Sequence, residues 1–358
     1  MTIQLNRSFG CGHAVPRIPT DKQGQKVNTQ ETSHLASQSV KDSNNKPKVS
    51  VIMNCLNGEK YLREAIDSVY TQTYKDWEII FWDNASTDKS AEIAQSHDHR
   101  VRYFKSEETY LLGKARNLAF KQAKGEYIAL LDVDDVWLPN KLEEQLKLFD
   151  KNSNLGMTFS NSIFFDETGD KYEMFRFVQP YKGNVFGNLL ANNFISTETM
   201  IYKRAALERL DYIFDDEFTT VMDFDLSLRV AYYYEIDYVS EPLSKWRMHK
   251  ESESHKRRSL IPPENFKMLE KLMENIPDIQ ESFSKEIKDF RKSIIYKYAL
   301  LEWFNDNRGA AKNYLRPYLN DARFFITFVF ATIFSYSQFE GLKSTAKKIL
   351  STICLKKA

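Results

Sequence analysis

The chain has 358 residues, 42% of them hydrophobic and 28% charged, an ordinary mixture for one large globular domain or two. A formal net charge of +1 excludes bulk electrostatic attraction to nucleic acid as the organising feature. The three cysteines, Cys11, Cys55 and Cys354, are too scattered for a disulfide framework or a metal-binding pattern, and a reducing cytoplasm is expected. No secretory signal is visible at the N-terminus. The aromatic share of 14% suits sugar-stacking surfaces and large cores equally.

Residues 1–46 are polar, hold no sustained hydrophobic period, and read as a disordered tail. The fold is expected to begin at Pro47. Val49–Met53 is a buried strand candidate, followed by the polar turn Asn54–Glu59. Tyr61, Leu62, Ala65, Ile66, Val69 and Tyr70 then recur at helical spacing. Trp77–Trp82 is a second strand, ending in Asp83-Asn84-Ala85-Ser86-Thr87-Asp88. A helix through Ala91, Ile93 and Ala94 follows, then a weaker strand at Val101–Phe104 and a helix over Leu111–Lys124. Tyr127–Leu131, an apolar run without alternation, reads as a strand buried on both faces. This rhythm predicts a parallel, doubly wound α/β sheet.

The Tyr127–Leu131 run meets three carboxylates, Asp132, Asp134 and Asp135. Ligands of open α/β sheets bind beyond the carboxyl ends of the strands, and residues two apart on a strand face the same way. Asp132 and Asp134 could thus share one site, and hard oxygen ligands suit Mg²⁺ or Mn²⁺. The alternative is an acidic loop capping the helix that starts within Trp137–Glu143.

Taken together, Val49-Ser-Val-Ile-Met-Asn54 with Asn57-Gly-Glu-Lys-Tyr-Leu62, Asp83–Asp88, Ala115-Arg-Asn117 and Leu131-Asp-Val-Asp-Asp135 resemble the inverting glycosyltransferases of the GT-A fold. Those enzymes build bacterial surface polysaccharides from nucleotide sugars, and the resemblance covers roughly 48–249. It implies a GT-A-like, mainly parallel sheet with flanking helices, a nucleotide-diphosphate-sugar half at 47–150 and an acceptor half at 151–257. It also implies a Mn²⁺ or Mg²⁺ cofactor.

By the same resemblance Asp83 would accept from the uracil N3–H, which favours a UDP-sugar. Asn84 departs from the usual second acid. Asn54, Asn57 and Glu59 would surround the nucleoside, with Leu56 standing where many relatives have an aromatic. Arg116 would meet the uracil edge or a phosphate, and Asp132 the ribose or sugar. Asp134 is the first choice for the metal ligand. His249, in Trp246-Arg-Met-His249, would ligate the metal or meet the diphosphate.

In the second half, Gly156–Phe165 and Tyr172–Val178 read as strands or extended segments, and 192–202 as another sheet element. Met222–Ala231 reads as a helix whose mouth, in the family, carries the catalytic acid. That position is Asp223, although the usual acidic neighbour is Met222 here. Charge-capping of the helix by Asp223 is the competing reading.

Residues 258–320 are expected to form a helical C-terminal extension. The segment 321–358 carries an apolar run, Phe324–Phe334, shorter than the ~20 residues of a spanning helix. Five lysines follow: Lys343, Lys347, Lys348, Lys356 and Lys357. The pattern suits peripheral contact with the cytoplasmic face of a membrane, or a helix docked on the core or a second subunit. The acceptor would be a saccharide or lipid-linked saccharide. The rivals are a catalytically silent nucleotide-sugar-binding or scaffold protein and a nucleotidyltransferase. The second would want a phosphate-binding glycine loop, and the sequence has none.

Overall fold

The computed structural model describes residues 46–341. The predicted tail up to residue 45 and the lysines from Lys343 onward lie outside the described residues. Among the described residues nine strands form one mixed sheet. The strands β1 (Val49–Cys55), β2 (Trp77–Asp83), β3 (Val101–Lys105) and β4 (Tyr127–Leu130) make its parallel part, in the order β3-β2-β1-β4. The remaining strands are β5 (Val136–Trp137), β6 (Leu155–Asp166), β7 (Gly169–Glu173), β8 (Ile201–Lys203) and β9 (Glu235–Arg247). β8 is antiparallel to β4 and to β6, and β6 runs parallel to β9.

The apolar runs of β1 and β4 are buried on both faces because helices cover both sides. On one side Val49, Val51 and Met53 pack on α1 (Leu62–Tyr70) and α4 (Lys141–Lys151). On the other side Ile52, Ile80 and Ile128 pack on α3 (Leu112–Gln122) and α5 (Met222–Tyr233). The helix α2 (Ser90–Gln95) links β2 to β3. The buried residues Leu62, Ala65, Ile66 and Val69 give α1 the stripe its sequence spacing predicts.

Two expected segments differ. Tyr172–Val178 is not one extended piece: β7 ends at Glu173 and a turn of 3₁₀ helix occupies Met174–Arg176. β7 is an exposed hairpin arm that follows the Glu167-Thr168 turn and opens on Gly169, φ 107°, so apolar content does not mark it. Within 192–202 only Ile201–Tyr202 joins the sheet, and Thr197–Thr199 is a 3₁₀ turn.

The helical C-terminal region consists of α6 (Ile261–Asn275), α7 (Ser284–Phe304), α8 (Arg308–Leu315) and α9 (Ala322–Ile333), with short turns between them. Met268, Leu269 and Leu272 of α6 and Ile287, Phe290 and Ile294 of α7 join the main core. The far end of α7 holds α8 and α9 through small clusters around Leu315, Phe324, Trp303 and Ala331. One face of α9 is therefore docked, while Phe325, Ile326, Val329 and Ile333 stand exposed. No helix among the described residues is long and apolar enough to cross a membrane.

Candidate functional site

The carboxyl ends of β1 and β4 open into a cavity of about 480 Å³. The start of α3, the mouth of α5 and the loop after β9 close it. Two close backbone approaches shape it. At Gly58 a Cβ would lie 2.9 Å from the Cys55 Sγ and from Val133, so this turn fits against the carboxylate loop only as glycine. At Gly113 a Cβ would overlap the Asp215 carbonyl oxygen, so α3 enters directly against the loop before α5. That approach sets Arg116 of α3 opposite Asp223 of α5.

Arg116, nearly fully buried, donates to Asp132 Oδ1 at 2.8 Å and pairs with Asp223 Oδ1 through its other terminal nitrogen. The second oxygen of Asp223 accepts from Thr197 Oγ1 at 2.8 Å. The Asp223 carboxylate bonds to side chains rather than to free N–H groups of the helix; no side chain caps that terminus. The Asp223 side chain therefore does not cap the helix in this structure.

A second pair stands across the cavity. His249 Nε2 lies 2.8 Å from Asp134 Oδ2, and His249 Nδ1 is buried without a hydrogen-bond partner. Burial, reinforced by the charge of Asp132, raises the Asp134 carboxyl above its ordinary value, and His249 opposes the rise. Arg247 braces this corner. Its backbone N–H donates to Asp135 Oδ1 at 2.8 Å, its Nε to the Asp134 carbonyl at 2.8 Å, and its guanidinium to Glu64 at 2.6 Å. Burial, with the nearby charge of Glu198, pushes the Asp135 carboxyl well above the usual range. Asp135 thus supports the loop from beneath.

Of the residues singled out from sequence, Asn54, Asn57, Arg116, Asp132, Asp134, Asp223 and His249 line the cavity together. Neither side-chain polar atom of Asn54 has a hydrogen-bond partner among the described residues. Asn57 has a left-handed backbone, φ 56°, and its Oδ1 accepts from the Thr87 N–H, so it also fastens the first turn to the second. Two residues fall elsewhere. Asp83 is fully buried; its oxygens accept from the Ser86 N–H at 2.7 Å and the Tyr103 hydroxyl at 2.6 Å, while its neighbour Asn84 lines the cavity. A carboxylate at the end of a buried strand was satisfied from within. Glu59 accepts from the Lys89 N–H at 2.9 Å and its own N–H donates to Asp88, a clasp between loops outside the cavity lining.

Sequence reasoning assigned no site role to Thr197, Asn84, Tyr61, Trp246, Lys256 and Arg257, all in the lining. Asn84, Tyr61 and Trp246 lie inside the motifs quoted above, whereas Thr197, Lys256 and Arg257 carried no local signal. The other acids near Asp223 are committed elsewhere. Asp225 is fully buried and pairs with Arg229, and Glu217 pairs with Lys267 and Lys271.

The family model for glycosyl transferase family 2 matches residues 50–211. An uncharacterised glycosyltransferase of Methanocaldococcus jannaschii is 36% identical over 210 residues, 57% of this chain and 71% of that one. The chain belongs to glycosyltransferase family 2. Another family relative is the UDP-Glc:alpha-D-GlcNAc-diphosphoundecaprenol beta-1,3-glucosyltransferase WfgD of Escherichia coli. It is 33% identical over 167 residues, 46% of this chain, and the chain spans 64% of its length. The fold recurs in S. aureus TarS, crystallised with UDP-GlcNAc, at a TM-score of 0.55 and 19% identity over 75% of this chain and 81% of that one. It recurs also in the mannosyltransferase PcManGT of Pyrobaculum calidifontis, solved with GDP-Man and Mn²⁺. There the TM-score is 0.52 at 17% identity, over 85% of this chain and 81% of that one. The architecture is GT-A-like, and the family makes the protein a glycosyltransferase that uses a nucleotide-sugar donor.

Proposed function

We propose that this glycosyltransferase is metal-dependent and inverting, and that it moves a sugar from a UDP-linked donor to a saccharide or lipid-linked saccharide in surface polysaccharide synthesis. The observation that carries the reading is the convergence of two separate acidic stations on one cavity: Asp134 with His249, and Asp223 held by Arg116 and Thr197. The UDP preference rests on the named donor of the E. coli relative.

The first station fits a divalent cation. Asp134 and His249 converge at 2.8 Å, and among the described residues no group of three or more His, Cys, Asp or Glu side chains forms a closed cage. Mg²⁺ and Mn²⁺ sites at phosphates take one or two protein ligands and leave the rest to diphosphate and water. When bound, the cation would offset the charge on the departing diphosphate.

The second station supplies the base. The acceptor oxygen bonds to the anomeric carbon as the bond from that carbon to the diphosphate breaks. The nucleoside diphosphate leaves with the electron pair, and the acceptor hydroxyl proton passes to Asp223. One displacement inverts the configuration. Arg116 and Thr197 fix the carboxylate so that orientation is not lost at each turnover.

The exposed apolar stripe on α9, followed in sequence by five lysines, supports a cytoplasmic enzyme held peripherally at the membrane surface, where a lipid-linked acceptor would lie. Turnover of a nucleotide-sugar panel tests the whole reading. UDP release with Mn²⁺ in wild type, lost together with Mn²⁺-dependent UDP binding in Asp134→Ala, is expected. Nucleotide-sugar binding without release under any acceptor condition would instead identify a silent binding protein.

A further inference from the structure

A run of aromatic rings leads away from the cavity along the edge of the sheet. Phe164 of β6 is paired in register with Tyr172 of β7 on one side and with Trp246 of β9 on the other. Partners across paired strands project to the same face. The ring centroids follow: Phe164 stacks on Tyr172 at 4.8 Å and meets Trp246 edge-on at 4.9 Å. Phe177, just beyond the 3₁₀ turn, meets Tyr172 edge-on at 5.0 Å. Trp246 lines the cavity, so the four rings form a continuous ledge from the cavity mouth across β6 and β7 to the segment just past the end of β7.

The outer end of this ledge is exposed. Phe177 is 68% accessible, the highest value among the large exposed apolar side chains of the described residues. Leaving such a ring in water forgoes hydrophobic burial. The ring is part of no buried core cluster, and its ring contact is the edge-on one to Tyr172. Its sequence neighbours Arg176, Gln179 and Lys182 are exposed and polar. Aromatic faces with polar donors around them match one ligand chemistry well. A pyranose presents an apolar C–H face that packs on a ring, and equatorial hydroxyls that seek hydrogen bonds. An acyl or prenyl chain would have no use for the polar rim.

We infer that the Trp246–Phe164–Tyr172–Phe177 ledge is a binding site for the acceptor oligosaccharide, holding the sugar units behind the one that receives the transfer. This deepens the proposed function and rests on its saccharide acceptor. It assigns the β6–β7 hairpin a recognition role, with Trp246 shared between ledge and cavity. The arrangement gives the enzyme reach beyond a single acceptor sugar, so binding strength should grow with acceptor length.

Saturation-transfer NMR on the full chain with Mn²⁺ and UDP tests the site. The probes are methyl β-glucoside, cellobiose, lactose, N,N′-diacetylchitobiose and farnesyl phosphate. Wild type should transfer saturation to the ring C–H protons of at least one disaccharide, more strongly than to the methyl glucoside. Phe177→Ala and Tyr172→Ala should each weaken that binding about three- to tenfold, the worth of one aromatic contact. UDP affinity on the same samples reports whether the cavity is intact, and Phe177 is exposed enough that its truncation leaves packing alone. A disaccharide signal that survives both substitutions, or no disaccharide signal at all, would overturn the ledge. So would a farnesyl phosphate signal that alone depends on Phe177. Nucleotide binding decides the donor reading separately: disaccharide binding that depends on Phe177 in a protein that ignores UDP would keep the ledge and sink the UDP donor.

Discussion

Arg116 and Asp223 lie 107 positions apart in sequence and form an ion pair inside the cavity. The same guanidinium holds Asp132 at the end of β4, so one side chain ties the end of β4 to the mouth of α5. Charge-assisted bonds of this kind are short and directional, and Arg can satisfy two carboxylates from one planar fork. Asp223→Asn keeps the shape and the contact to Thr197 but removes the proposed base. The expected result is unchanged donor affinity with kcat lower by on the order of 10²–10⁴-fold, the usual worth of general-base catalysis. A capping role predicts otherwise, since Asn caps nearly as well as Asp. Single-turnover transfer alongside calorimetric UDP binding separates the two, and near-normal transfer would return Asp223 to a structural role.

Asp83 now carries a different expectation from the one its sequence position suggested. Its carboxylate is spent on the Ser86 N–H and the Tyr103 hydroxyl, and burial of that phenol, with the adjacent carboxylate, pushes its ionisation well above the ordinary range. Asp83→Ala leaves the buried Ser86 N–H without its acceptor, which costs roughly 1–3 kcal/mol, and frees the half-buried Tyr103 hydroxyl at a smaller cost. A lowered thermal midpoint with unchanged preference among UDP, CDP and GDP is expected. A selective loss of UDP affinity at full stability would restore Asp83 as the base reader.

The part of this fold that was legible in sequence is the part where one element declares itself alone. Apolar runs without alternation marked β1, β2 and β4, and the spacing of Leu62, Ala65, Ile66 and Val69 marked α1. The cavity residues Asp132, Asp134 and His249 could be found because they sit at strand ends within short motifs. Thr197, Arg247 and Glu198 could not. Their work depends on contacts across 26 to 183 positions, and nothing in their immediate neighbours encodes such partners. The hairpin arm β7 escaped for the opposite reason: it lies exposed, so its Asp170 and Lys171 show no apolar signature.

Lys141 offers a pH test of the buried network under the site. It is fully buried, donates to the Thr199 carbonyl at 3.0 Å and to Gln145, and burial brings its pKa down to about 7. In the unfolded chain a lysine keeps its proton to near 10.4. Between those values the unfolded state binds more protons, so native stability rises with pH. The full penalty applies below about 7 and is relieved progressively above it. Lys141→Met lacks this dependence. Urea midpoints at pH 6.5 and 9.5 should show wild type gaining on the variant by up to about 3 kcal/mol. Parallel curves would mean that Lys141 stays charged in the folded protein.

The apolar side of α9 makes the last prediction. Phe324, Thr327 and Ala331 are buried against α7 and α8, which leaves Phe325, Ile326, Val329 and Ile333 on the opposite face. A twelve-residue helix of this kind is too short to span a bilayer but can lie in its interface. Each apolar side chain transferred from water contributes up to about 1.5–3 kcal/mol, and the lysines that follow in sequence would add attraction to anionic lipid. Flotation with anionic and neutral vesicles should therefore recover the full chain, more strongly from the anionic ones and less at high salt. Replacing the four residues by serine keeps the buried Phe324, Thr327 and Ala331 in place, so the thermal midpoint should fall only modestly while the recovered fraction falls at least about tenfold. Recovery that is equal for the wild type and the serine variant would remove the stripe from membrane contact. A concentration-dependent dimer abolished by the same substitutions would assign it to a second copy of the chain instead.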